Sequence, residues 1–185
     1  MEKENLYFIA IIPPQEICDE ITAFKLDFSD HFESKTALKV MPHITLKAPF
    51  KLNAIHHLDL KDWFQKLPVA FCPFQIELKN FGAFHNKNHP VVFVHPILNA
   101  PLVALQKKII DGFRLAYPKI EVTNTELKFT PHITIAYRDL GFDNFIAAWE
   151  IYKKKEYAAA FDVSSFHLLQ HNGKIWNVID TYSIK

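Results

Sequence analysis

The chain has 185 residues, enough for one domain or two small lobes sharing a core, and we take residues 1–185 as a single unit. Hydrophobic residues make up 49% and charged residues 22%, an ordinary globular composition, and a formal net charge of +1 argues against a broad surface for duplex DNA. Only 4 glycines, with no GxGxxG or GxxxxGK[ST] run, exclude a glycine-cradled nucleotide site, and 2 cysteines are too few for a disulfide framework or a zinc cluster.

In chain order, the apolar run from Leu6 to Ile12, ended by Pro13-Pro14, predicts a buried strand. Ile17, Ile21, Phe24, Phe28 and Phe32 recur at three- and four-residue steps, the stripe of an amphipathic helix. A strand carrying Pro42-His43-Ile44-Thr45-Leu46 follows, then a helix from His56 to Leu67 with Leu60, Trp63, Phe64 and Leu67 on one face. Phe74, Ile76 and Leu78 alternate with polar residues, a half-buried strand that a loop at His85-Asn86-Lys87-Asn88 joins to Val91–Val94 as a hairpin. Asn99 is placed to cap a helix whose stripe is Leu102, Leu105, Ile109 and Phe113. A second motif strand, Pro131-His132-Ile133-Thr134-Ile135, comes next, and Asp143 or Asn144 opens a helix carrying Phe145, Trp149 and Tyr152. Two closing strands, Phe161–Gln170 and Ile175–Ile184, meet at His171-Asn172-Gly173-Lys174, a hairpin signal. No basic-then-apolar leader is seen and no apolar run reaches the roughly 18 residues of a membrane helix. We therefore expect a cytoplasmic monomer with reduced thiols and no membrane contact.

The two copies of Pro-His-Ile-Thr carry most of the functional information. Each also has a lysine four residues before its histidine, Lys39 and Lys128. In a strand, side chains alternate faces, so His43 with Thr45, and His132 with Thr134, point one way while the isoleucines point into a core. A lone histidine on a strand is most often structural, but two with four matching neighbours are not an accidental pair. One imidazole that takes a proton, a second that gives one, and two hydroxyls on anionic oxygens suit acid–base work on a phosphate. By the same alternation Lys47 falls on the motif face, and Arg138 does too. Either is placed to neutralise phosphate charge, and a solvated strand end is the equally weighted alternative for both. Tyr137 and Trp176 are the aromatics we expect to stack on a base. His85 and His89 flank a loop rather than share a helix face, which disfavours a metal site, and no cofactor is implied. Lys153-Lys154-Lys155 reads as a solvated helix end.

At these residues the chain resembles the two-histidine (2H) phosphoesterases, in particular the bacterial 2′-5′ RNA ligase and RNA 2′,3′-cyclic phosphodiesterase group. The resemblance rests on His43-Ile44-Thr45-Leu46 and Pro131-His132-Ile133-Thr134-Ile135. It extends from the Tyr7-Phe8-Ile9-Ala10 strand to the turn and strand at Gly173-Lys174-Ile175-Trp176. There are two departures. Many members have arginine five residues after the second histidine, where this chain has Tyr137 followed by Arg138, and members commonly have tyrosine where this chain has Trp176. The resemblance implies an α+β, bilobal fold: two antiparallel sheets with outer helices, related by a pseudo-two-fold axis, with a cleft between the lobes. It also implies metal-independent cleavage of a 2′,3′-cyclic phosphate or 2′-5′ phosphodiester, on an RNA end or small cyclic nucleotide, with ligation as the reverse reaction. A binding module that kept the pocket without turnover is the alternative. Paired His-x-Thr motifs weigh against it, because arginine or lysine alone would bind phosphate.

Overall fold

The computed structural model describes residues 3–70 and 72–185. Strand β1 (Glu4–Ile11) ends at the proline pair, and helix α1 (Gln15–His31) starts directly after it. The stripe expected of α1 is buried at Ile17, Ile21 and Phe28. The helix stops where Glu33 takes a left-handed φ of 56°, which turns the chain back so that Ser34 N–H reaches the Phe28 carbonyl at 3.2 Å. A short 3-10 turn (Thr36–Lys39) leads to β2 (Ile44–Asn53), and α2 (His57–Gln65) follows. The hairpin strands are β3 (Phe74–Phe84) and β4 (Val91–Pro96). Asn99 does cap α3 (Ala100–Ala116), its side-chain oxygen accepting from Leu102 N–H at 2.9 Å. A one-turn helix α4 (Asn124–Leu127), held by a Thr123/Glu126 capping box, precedes β5 (Ile133–Ala136) and α5 (Phe142–Tyr152).

The closing segment departs from the sequence reading. The run expected as one strand over Phe161–Gln170 is two, β6 (Ala158–Val163) and β7 (Ser165–His171), and they belong to different sheets. Ser164 is the crossing point, so a continuous apolar run spans two half-buried strands. Strand β7 then pairs with β8 (Trp176–Ser183) across the expected hairpin, where Gly173 supplies a φ of 96° that other residues rarely adopt.

The strands form two antiparallel four-stranded sheets, ordered β2-β1-β7-β8 and β5-β4-β3-β6. The two orders correspond: β1, α1 and β2 in one half match β4, α3 and β5 in the other, and each motif strand lies at a sheet edge. Buried residues of both sheets and of α1, α3 and α5 belong to one contiguous cluster. Helix α1 packs against β5 and α3 against β2, so each long helix touches the motif strand of the other half.

Two carboxylates fasten the halves together. Glu126, beside the second motif, accepts from Lys47 Nζ at 2.8 Å and from Ala48 N–H at 2.9 Å, both on the first motif strand. In the opposite sense Asp139, just past β5, accepts from Ser34 Oγ and from the N–H groups of Lys35 and Thr36 at 2.8–2.9 Å. Each motif strand is thus tied, beyond its motif, to the turn that leads into the other.

Candidate active site

Both histidines lie just ahead of their strands in the same local setting. His43 Nδ1 is 2.7 Å from the Met41 carbonyl, and His132 Nδ1 is 2.8 Å from the Thr130 carbonyl. A carbonyl only accepts, so each Nδ1 carries the proton and each Nε2 is left with its lone pair in the neutral ring. An aromatic on the neighbouring strand backs each imidazole. Phe8 of β1 is 5.0 Å from His43, centroid to centroid, and Phe93 of β4 is 5.5 Å from His132. Phe84 adds an edge contact to His132 at 5.2 Å.

Burial disfavours the charged form of both rings. The His43 imidazole is pushed down to about 4, chiefly by burial and further by the positive charges of Lys25 and His132; the Met41 carbonyl acts the other way. His132 is also lowered by burial, against the pull of the Thr130 carbonyl. Each histidine therefore rests neutral near pH 7.

A cavity of about 330 Å³ opens in front of His43, with Thr45 and Thr134 both in its wall. His132 stands at its margin rather than in the lining, close enough for its charge to reach His43. Four cations, Lys25, Lys39, Arg138 and Lys174, face this space, and among the described residues no carboxylate does. In a chain of net charge +1 that is a local concentration of positive charge, suited to an anion. Its volume sits at the small end of ligand cavities, room for about one nucleotide and not for a duplex.

Of the residues singled out in the sequence, Arg138, Tyr137 and Trp176 line the cavity. Arg138 takes a left-handed φ of 60° and its guanidinium lies 5.1 Å from the Tyr137 ring centroid. This turn gives two successive residues access to one cavity. Trp176 is held edge-on against Phe8 at 4.5 Å and beside His171 at 5.0 Å.

Lys47 is the exception, and its placement corrects the sequence reading. It is 1% exposed, paired with Glu126, with its ammonium 4.7 Å from the Phe113 ring centroid and outside the cavity lining. The cause is a β-bulge: Ala10 pairs with Thr45 but Ile9 pairs with Lys47, so Leu46 is an extra residue and the alternation slips by one. His85, disfavoured as a metal ligand by its place beside a loop, is exposed and packs edge-on against Phe145 and Trp149. Among the described residues no three His, Cys, Asp or Glu side chains gather in a cluster suited to a metal ion. Five polar lining residues were not placed at the cavity from the sequence: Lys25, Thr36, Lys39, His171 and Lys174. Three of them carried a signal: His171 and Lys174 by their place in a predicted hairpin turn, and Lys39 as the lysine before the first motif.

An α+β fold that brings two His-x-Thr strands to one cationic cleft defines a phosphoesterase of the two-histidine class. The sequence matches the 2′-5′ RNA ligase superfamily over residues 13–175, and the chain belongs to that superfamily. A protein of Geobacillus kaustophilus named "Putative phosphoesterase" is 27% identical over 180 residues, covering 96% of this chain and 95% of its own. One of the same description from Staphylococcus haemolyticus is 22% identical, covering 95% and 97%. Among solved structures, Escherichia coli LigT complexed with 3′-AMP superposes with a TM-score of 0.66 at 16% identity over 99% of both chains. TT0787 of Thermus thermophilus gives 0.64 at 18% identity over 97% of both. At those identities the structures speak for the fold.

Proposed function

We propose that this phosphoesterase cleaves a 2′,3′-cyclic phosphate or a 2′-5′ phosphodiester at an RNA end or in a small nucleotide, without a metal ion. The reading is carried by one observation: two imidazoles with matched Nδ1–carbonyl bonds lie near enough to act on each other, and the cavity in front of His43 is lined by both motif threonines and, among the described residues, by cations but no carboxylate. The structure of LigT with 3′-AMP supports it, since a protein of this fold takes up a nucleotide.

His43 acts as base. Its setting, next to Lys25 and His132, favours the neutral ring, so Nε2 takes a proton from the attacking water. The water oxygen bonds to phosphorus as the bond to one ribose oxygen breaks, and His132, in the minor fraction of enzyme that carries it protonated, donates to that leaving oxygen. Thr45 and Thr134 donate to the non-bridging oxygens as charge builds on them. Arg138, Lys39 and Lys174 hold the anion, and Tyr137 and Trp176 face the base. Run backwards, with a ribose hydroxyl in place of water, the histidines exchange roles and an RNA end is joined. The test is turnover of the four 2′,3′-cyclic nucleotides and of an oligonucleotide ending in a cyclic phosphate, each with and without chelator. Conversion that persists in chelator is the expected result. No conversion of any substrate, or activity restored only by a divalent ion, would overturn the proposal.

A further inference from the structure

Among the described residues Lys25 is the one strongly buried cation in the cleft, 3% exposed in the middle of α1. Among the described residues its ammonium makes one hydrogen bond, to the Val40 carbonyl at 2.7 Å, and no ion pair with a carboxylate. Burying an ammonium is costly unless it is well partnered, so the position needs a reason. Holding the Val40–His43 turn is part of it, because Met41 in that turn orients His43.

The other half of the molecule shows how much of Lys25 this explains. There the buried polar residue of α3 is Gln106, 5% exposed, whose Nε2 donates to the Glu126 carbonyl at 3.0 Å in the turn before the second motif. A neutral amide is enough to tie a long helix to the turn ahead of a motif strand. The charge on Lys25 is beyond what that task requires. Lys25 also lines the cavity in front of His43 and a second, adjoining cavity of about 440 Å³, where the only other charged residue among those described is Lys39. With one N–H committed to Val40, an ammonium has two donors left.

We propose that Lys25 binds the reacting phosphate, using its free N–H donors on a non-bridging oxygen while its third holds the turn that positions His43. The proposal rests on the phosphodiester reading of the site. Around His43 the charged groups are Lys25 from α1 and His132 from the second motif, with Arg138, Lys39, Lys174 and His171 on the same cavity wall; Cys18 lies beside Lys25 on its own helix. Without a ligand, burial holds the Lys25 ammonium down to about 8. A bound anion reverses that penalty, and by linkage Lys25 then binds its proton more tightly.

Lys25→Gln removes the charge and keeps an amide N–H donor for the Val40 carbonyl, on a side chain one bond shorter, as Gln106 does for the Glu126 carbonyl. Its Tm should match the parent. Its kcat/KM should fall roughly 10- to 100-fold, on the scale of an oxyanion donor, with the limb governed by His43 moving to higher pH; Lys25→Arg should recover part of the loss. Inorganic phosphate, titrated without turnover, should bind the parent more tightly than Lys25→Gln. In the unaltered enzyme, phosphate should raise the pKa of Lys25, read from its side-chain NMR signals, whether or not the variants fold. A Lys25 pKa indifferent to phosphate, or a folded Lys25→Gln with parental kcat/KM and pH profile, would overturn the proposal. Phosphate binding that depends on Lys25 without turnover of any cyclic nucleotide would instead overturn the substrate reading alone.

Discussion

Replacing Lys47 by methionine keeps most of the apolar stem of the side chain while removing the ammonium that pairs with Glu126 and faces the Phe50 and Phe113 rings. Glu126 would then be a buried carboxylate without its ammonium. Burial alone would raise the Glu126 carboxyl; the Lys47 ammonium, with N–H groups of Thr123 and Ala48, outweighs it and holds the group below its ordinary 4.5. Breaking one side of a buried ion pair typically costs about 3–5 kcal/mol. The surviving Thr123 and Ala48 donors place the loss near the low end, about 3 kcal/mol. For a chain of this size each kcal/mol moves Tm by about 2–4 °C, so a fall of about 6–12 °C is expected. The double variant Lys47→Met/Glu126→Gln buries no charge and keeps an acceptor for Ala48, so it should regain at least about 1 kcal/mol over the single. Urea unfolding followed by tryptophan fluorescence gives both values. A depressed carboxylate stabilises above its unfolded pKa and loses that contribution as pH falls through the folded value, so the gap between parent and Lys47→Met should narrow below about pH 4. A loss under about 1 kcal/mol, or a double variant no better than the single, would refute the account of this pair as a strut between the halves.

The remaining expectations concern the chemistry. His43→Ala and His132→Ala should each lower kcat roughly 10²–10⁴-fold, and the double variant should lose far less than the product; a single variant with near-parental kcat removes that histidine from the mechanism. Thr45→Val and Thr134→Val should reduce kcat by roughly 10–10³-fold with little change in KM, and unchanged kinetics in both would leave the threonines as strand formers. Because burial lowers both imidazoles, with His43 near 4, the bell in kcat/KM should peak on the acid side of about 6.5. A maximum above pH 8 would contradict that setting. The same shifts weaken the fold in acid: an imidazole that binds protons less well when folded stabilises above its unfolded pKa, so part of the stability should drain away between about pH 6.5 and 4.

Most elements were legible because the apolar residues repeat with a clean period. The stripe of α3, the cap at Asn99 and the hairpin at Gly173 needed only local rules, whereas α5 starts at Phe142 after Gly141, ahead of the expected Asp143 or Asn144 and without a side-chain cap. What failed was what depends on the partner across a sheet. Nothing in Phe161–Gln170 announces that the chain leaves one sheet at Ser164 and enters the other, since both sheets want the same half-apolar pattern. The short turns at Thr36–Lys39 and Asn124–Leu127 have no stripe to read; they exist because Asp139 and Glu126 satisfy their N–H groups. Lys25 lay hidden for a different reason. On a helix wheel it reads as a boundary residue, and only packing of α1 beside the motif turn buries it.

The misplacement of Lys47 has a cause that both motif strands share. The bulge in β2 falls after Thr45, and β5 has its own after Thr134: Phe93 pairs with Thr134 while Val92 pairs with Ala136. The extra residues, Leu46 and Ile135, occupy the same place in both copies, and the residue after each is turned inward, Lys47 at 1% exposure and Ala136 at 0%. Alternation is therefore sound for His-x-Thr, which precedes the bulge, and misplaces whatever follows it. The repetition also says what the bulge does. Motif strands sit at sheet edges, where a bulge bends the strand without breaking a second ladder. Bent there, β2 delivers Lys47 and Ala48 to Glu126, and β5 passes Tyr137 and Arg138 to the cavity and Asp139 to the opposite turn. What was duplicated is thus a bent edge strand, with the motif groups before the bend and fastenings beyond it.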